Sequence, residues 1–175
     1  MAKIGLTKLG LKKNTNLIQL NWNDQIIEIK EYLPIQEKLD LIGRIVNQSL
    51  DDNNFVNPAR LQIFMTLEIF YTYTNINFTD KQKEDFLGLY DLLVSNGLQN
   101  DVFNALYEVG ELQIINDTCH AVIDEIYKYK NSALGIMQAI SQDYSNLDLD
   151  ADKLKEKIAN KENVEFLKEV MDKMG

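Results

Sequence analysis

The sequence predicts a mainly α protein: a single helical domain around a long central helix, with a small N-terminal β-hairpin and an extended N-terminal arm. Three observations point there. From Leu112 to Ile140, the residues Leu112, Ile115, Cys119, Val122, Ile126, Tyr129, Ala133, Ile136 and Ile140 recur at alternating intervals of three and four with no proline between them, which is the spacing of a helix face. At about 1.5 Å per residue that helix is roughly 40 Å long, enough to cross a small domain. A second stripe, Ile123, Tyr127, Leu134 and Met137, widens the face and favours burial in a bundle over a free coiled coil. After Asn57-Pro58, the run Leu61, Ile63, Phe64, Met65, Leu67, Ile69, Phe70, Tyr71 and Tyr73 is apolar on nearly every side. Such a helix belongs in the middle of a domain, and it is expected to be the long helix's main partner. Thirdly, Leu17–Trp22 and Gln25–Lys30 alternate around Asn23-Asp24, a pair suited to the positive backbone angles of a two-residue turn.

A chain of 175 residues can bury about 70% of its unfolded surface without metals or disulfides. The expected division is an arm, residues 1–16, and one domain, 17–175, made of the hairpin (17–30), a helical body (34–143) and two short C-terminal helices within 151–174. In the arm, Ile4, Leu6, Leu9 and Leu11 are mixed with lysines and two glycines, which reads as extended chain rather than helix. Lys3, Lys8, Lys12 and Lys13 all precede the first acid, Asp24, so a basic arm precedes an acidic body. Apolar residues at that density are expected to pack on the domain's own hairpin or on a neighbouring copy.

In the hairpin the turn sets Leu20 opposite Ile27 and Ile18 opposite Ile29, with Gln19, Asn21, Glu28 and Lys30 on the other face. An isolated hairpin is marginal, so it should pack on a helix or gain a third strand from the segment before it. Pro34 suits a first helical position, and Ile35, Leu39, Ile42 and Val46 mark the apolar face of a helix reaching about Gln48. A polar loop, 51–54, leads to Asn57, a helix cap, with Pro58 in the first turn. Thr79 and Gln82 form a capping box for one helix carrying Phe86, Leu89, Tyr90 and Leu93 and ended by Gly97. A short helix over about 100–107 leads through Gly110 into the long one. The chain then turns near Tyr144 and finishes with helices over about 151–159 and 162–174.

The residues offer little chemistry. His120 is the one histidine and Cys119 the one cysteine; they lie about 100 degrees apart on a helix and do not converge, so a catalytic pair is not expected. Cys119, on the seam, reads as a small buried hydrophobe. Asp148, Asp150 and Asp152 begin like a calcium loop, but Lys153 stands where the glycine belongs and Ala159 where the glutamate belongs, so helix capping by Asp150 explains them better. Asp117, Asp124 and Glu125 read as a solvated face, and Trp22, Tyr71, Tyr73 and Tyr144 as core or rim aromatics. No phosphate loop, dinucleotide fingerprint or serine-nucleophile motif occurs. The expectation is therefore no catalytic, cofactor or metal residues and no enzyme. The net charge of −9 argues against nucleic acid as a partner. No signal peptide and no apolar run long enough to span a bilayer is found, so neither secretion nor membrane contact is expected.

Three stretches, WNDQIIEIKEYLPIQEKLDLI, YTNINFTDKQKED and YKYKNSALGIMQAISQDYSNLDLD, resemble a family of small proteins encoded by tailed phages and prophages of Gram-positive bacteria, among genes for virion parts and their assembly. The hairpin with its Ile-Glu-Ile-Lys strand followed by acidic helices is also similar to tail assembly chaperones. The resemblance covers about Trp22 to Asp150 and implies a non-catalytic assembly or virion-associated structural protein. Its partners would be phage structural proteins or copies of itself, and its location the host cell cytoplasm or the virion. The expected partner-binding residues are Ile4, Leu6, Leu9, Leu11, Lys12, Lys13 and Trp22. A phage protein that binds a host factor is the alternative, and an enzyme with an unrecognised acid site a third reading.

Overall fold

The computed structural model describes residues 3–52, 55–132 and 134–137. It is mainly helical, with one two-stranded antiparallel hairpin near the N-terminus. The predicted C-terminal helices, the turn at Tyr144 and the aspartates 148, 150 and 152 lie outside the described residues. Backbone proximity groups the chain into two compact units, Met1–Ile126 and Tyr127–Gly175.

The first unit opens with the arm, which departs from one expectation and, of the two covers expected for its aliphatic residues, lacks that of its own hairpin. It is not wholly extended: Leu6–Leu9 forms a single 3-10 turn, closed by a bond from the Lys8 amide to the Gly5 carbonyl and ended by Gly10 in the left-handed region at φ 62°. Nor does it pack on the hairpin, because every residue from Lys3 to Leu17 is exposed. The glycines explain the first difference, since Gly10 takes the left-handed angle without steric cost and lets one tight turn close.

Strand β1 (Leu17–Trp22) pairs with β2 (Gln25–Lys30) in the predicted register, Leu20 opposite Ile27 and Ile18 opposite Ile29. Asn23 (φ 45°) and Asp24 (φ 62°) supply the two positive angles of the turn, whose twist matches that of the strands. The hairpin packs against a helix, α5 (Leu98–Glu108). The outer edge of β2 is closed from an unforeseen quarter: Thr74 bridges Ile29, the Asn75 amide donates to the Glu28 carbonyl at 3.1 Å, and the Glu28 amide donates to Asn75 Oδ1 at 3.1 Å.

Helix α1 (Ile35–Ser49) follows Pro34, which stands at the cap rather than inside the first turn. Its buried face is Lys38, Leu41, Ile42, Ile45, Val46 and Ser49, whereas Ile35 and Leu39 of the predicted face are exposed. The face is rotated because Lys38 takes the inward position of the first turn, which its pairing with Glu111 makes possible. Helix α2 (Pro58–Tyr73) is capped as predicted, Asn57 Oδ1 accepting from the amides of Ala59 and Arg60 at 3.0 and 3.2 Å. It buries Phe64, Thr66, Leu67, Glu68, Ile69, Phe70 and Tyr73 and packs most closely on α1. The expectation that the long helix would be its main partner is corrected accordingly. Each fully buried Leu, Ile or Phe side chain contributes roughly 1.5–3 kcal/mol, so the α1–α2 layer holds much of the core.

The capping box at Thr79 and Gln82 is present with both its bonds, but the helix it starts is short. Helix α3 (Asp80–Glu84) stops at Asp85 (φ −88°, ψ 60°), whose carboxylate caps the next helix, α4 (Phe86–Ser95), by accepting from the Gly88 amide at 3.1 Å. A Cβ at Gly88 would collide with that carboxylate. Phe86 stacks on Phe64 of α2 at 5.3 Å between ring centres. Gly97 (φ 81°) turns α4 into α5, and Gly110 (φ 78°) turns α5 into α6 (Glu111–Lys130).

The helix predicted unbroken from Leu112 to Ile140 therefore ends at Lys130. The chain turns at Asn131–Ser132 and is helical again over 134–137. Ser132 explains the interruption: its hydroxyl donates to the Tyr129 carbonyl and accepts from the Gly135 amide at 3.1 Å, ending one helix and capping the next turn. On α6 a single stripe is buried, Glu111, Ile115, Cys119 and Ile123, while Ile114, Val122 and Tyr129 are exposed. Leu134 and Met137 of the predicted second stripe are exposed too.

Candidate functional site

The most charged place inside the body is built by α1, α2 and α6. Gly110 turns the chain so that Glu111 opens α6, where an acid is favoured by the helix dipole, and its side chain is 95% enclosed, as is that of Lys38. Lys38 Nζ donates to Glu111 Oε1 at 2.8 Å, and the Tyr73 hydroxyl donates to Oε2 at 2.7 Å. The Leu33 amide donates to the same Oε2 at 3.3 Å, and Lys38 Nζ lies 5.0 Å from the centre of the Tyr32 ring. Burial, then the bond to Glu111 and its charge, raise the Tyr73 hydroxyl well above the ordinary tyrosine range. Both Glu111 oxygens are thus taken by protein donors from three segments, an arrangement suited to tying elements together rather than to accepting a substrate's proton.

A second polar group lies along the α1–α2 seam. Glu68 accepts from Arg44 Nε and Gln48 Nε2, both at 2.8 Å, and Arg44 Nη2 donates to Thr72 Oγ1 at 3.2 Å. Arg44 is half exposed, so the pair aligns the helices with little net energy. Neither group was anticipated from sequence, although a signal exists. Lys38 begins the stripe Leu41, Ile45, Ser49 and Glu111 begins the stripe Ile115, Cys119, Ile123, two opposite charges each one turn ahead of an inward face.

Six of the seven expected binding residues lie on the exposed arm. Ile4, Leu6, Leu9 and Leu11 are 70%, 71%, 54% and 72% exposed, with Lys12 and Lys13 exposed beside them. In the 3-10 turn, residues three apart lie on one side, so Leu6 and Leu9 form a projecting pair. The Asn16 amide donates to Asn14 Oδ1 at 2.9 Å, a local bond at the junction with β1. Trp22 is half-buried at the far end of β1, away from the arm in sequence.

The other nominated residues fall apart. Cys119 is buried and His120 exposed; burial pushes the Cys119 thiol up to about 11, which suppresses the reactive thiolate. Asp117, Asp124 and Glu125 are exposed, Tyr71 packs edge-on against Phe78, and Tyr73 belongs to the buried cluster. Among the described residues, no group of three or more His, Cys, Asp and Glu side chains is placed to hold a metal ion, and no helix is long and apolar enough to cross a membrane. A cavity of about 280 Å³ sits where α3 breaks into α4, lined by Lys81, Gln82, Asp85, Gly88, Leu89 and Leu92. No family model, curated protein or solved structure matches this chain.

Proposed function

We propose that the chain is a non-catalytic assembly protein of a tailed phage, which binds a phage structural protein through its N-terminal arm while that protein awaits incorporation in the host cytoplasm. The observation that supports this reading is the arm: four large aliphatic side chains, all more than half exposed, on a segment with its own turn and terminator. A segment shaped in advance loses less entropy on docking. Each aliphatic group buried by a partner adds roughly 1.5–3 kcal/mol. The four lysines favour a partner whose groove is rimmed with acids, and they speed encounter with it. The resemblance of the hairpin and the three quoted stretches to phage morphogenesis proteins supplies the class of partner. The body's role in this reading is to carry the arm, with the Glu111 cluster holding its helices in register.

Mixing the purified chain with the phage's major tail tube protein and, separately, with its capsid protein is expected to yield a stable complex with one of them by size-exclusion chromatography. Deleting residues 1–13 is expected to abolish that complex and leave helical circular dichroism nearly intact. A complex that survives the deletion, or failure to bind either protein, contradicts the proposal.

A further inference from the structure

We infer that the outer edge of β1 is a pairing site for β1 of a second copy of this chain, the two strands running antiparallel about a two-fold axis to make a four-stranded sheet. The direction of the backbone groups follows from the turn. A two-residue turn makes Trp22 and Gln25 the first hydrogen-bonded pair, and alternation then points the N–H and C=O groups of Ile18, Leu20 and Trp22 at β2. Those of Leu17, Gln19 and Asn21 point outward, as do those of Ile26, Glu28 and Lys30 on the other strand. On β2 the outward direction is seen directly, because both backbone groups of Glu28 are engaged by Asn75. On β1 there is no counterpart: among the described residues the sheet ends at β1, and Leu17, Gln19 and Asn21 are exposed.

Two further observations commit the occupant to a second copy. Edge strands are ordinarily guarded by lysine, proline or inward charges, yet Leu17–Trp22 carries no charge and no proline. In a chain of net charge −9, whose copies repel one another over most of their surface, this edge lets two copies meet with no acid facing an acid. The burial is also lopsided. Ile27 and Ile29 on β2 are buried, while Leu20 and Ile18 opposite them, and Trp22 beside them, are half-buried, so apolar surface remains next to the unpaired groups.

A two-fold centred on Leu20 satisfies both. Gln19 of each copy exchanges backbone bonds with Asn21 of the other, Leu20 faces its own counterpart, and Ile18 faces Trp22. The apolar trio becomes continuous across the junction, and the opposite face is a row of neutral amides. Each arm then runs past the other copy's Asn23–Asp24 turn, which puts its lysines over an acidic neighbour.

Sedimentation of the full chain over a concentration series tests this. A reversible dimer is expected. Gln19→Lys with Asn21→Lys sets lysine opposite lysine at both outward pairs, at exposed positions, and is expected to weaken the dimer by at least about tenfold, with circular dichroism unchanged and Tm unchanged at dilutions where both proteins are monomeric. Leu20→Cys is expected to give a disulfide-linked dimer with oxidised glutathione as oxidant, because the facing Cα atoms of such a pair lie about 4.5 Å apart. The wild type, with Cys119 buried, is expected not to cross-link. A chain that stays monomeric, a dimer indifferent to the two lysines, or an uncross-linked Leu20→Cys variant overturns the inference. Because no phage protein takes part, its failure leaves the arm's proposed role standing, and failure of the arm experiment leaves the dimer standing.

Discussion

Glu111 is the residue on which most of the body's polar design converges. Removing one partner of a buried pair leaves the other charge without compensation, so Glu111→Gln is expected to cost about 3–5 kcal/mol in urea unfolding at neutral pH. Lys38→Met with Glu111→Gln removes both charges while the amide oxygen can still accept from Tyr73 and Leu33, and is expected to cost clearly less than Glu111→Gln alone. A double variant as unstable as the sum of its parts would show that the charges are not coupled. Alkaline pH acts on the same neighbourhood. The Cys119 thiol ordinarily ionises at 9.0 and is held to about 11 in the folded chain. Over that range the folded state keeps a proton that the unfolded state has lost, so stability is full below pH 9 and falls as pH rises toward 11. Each pH unit crossed in that interval removes about 1.4 kcal/mol, a total loss on the order of 2–3 kcal/mol. Tyr73, also raised, adds a further loss once pH passes the ordinary tyrosine value near 10. Cys119→Ala, compared with the wild type by urea titration at about pH 8 and about pH 10, is expected to flatten the first part of that decline. An equal decline in both proteins would show that the thiol is not its cause.

At the scale of elements, the break between α3 and α4 rests on two residues that do not tolerate separate change. Gly88→Ala sets a methyl group against the exposed Asp85 carboxylate, which must swing off the Gly88 amide, and is expected to cost about 0.5–2 kcal/mol through the lost cap. In an Asp85→Ala background the collision is gone, and the same substitution is expected to be neutral or stabilising by up to about 1 kcal/mol, since alanine is the better helix former. Thermal melts of the four proteins decide this, and equal costs in both backgrounds would contradict it. The elements that were legible in the sequence are those governed by near neighbours: the Asn23-Asp24 turn and the register it sets, the Asn57 cap and the Thr79–Gln82 box. The Asp85 break was not legible, because Phe86, Leu89, Tyr90 and Leu93 keep helical spacing after the capping box whether or not the chain bends. The end of α6 was hidden likewise, apolar spacing continuing through Asn131–Ser132 while a single hydroxyl redirects the backbone. The Glu111 cluster joins residues 38 to 78 positions apart, which no local pattern reports. In the candidate site, the aliphatic and basic character of the arm was legible. Its single 3-10 turn and complete exposure were not, since alternating aliphatic residues ordinarily imply cover from the chain's own body.

For the whole molecule, the described residues give an acidic body preceded by an exposed aliphatic arm and a strand edge with no partner strand. All 27 acids lie after the arm, and the four arm lysines precede every one of them, so the arm is drawn to acidic surfaces that the rest of the chain repels. The aliphatic groups of the arm and the uncharged edge of β1 lie next to each other in sequence and differ in what they accept: side-chain burial for one, backbone pairing for the other. The central claim is that the arm is the element that captures a phage structural protein. Amide hydrogen exchange over residues 3–16, recorded for the chain alone and in its complex with the tail or capsid protein that binds it, tests that claim most directly. Exchange fast in the free chain and slowed at Leu6–Leu11 in the complex is the predicted result. An arm that exchanges as freely in the complex as alone would contradict it.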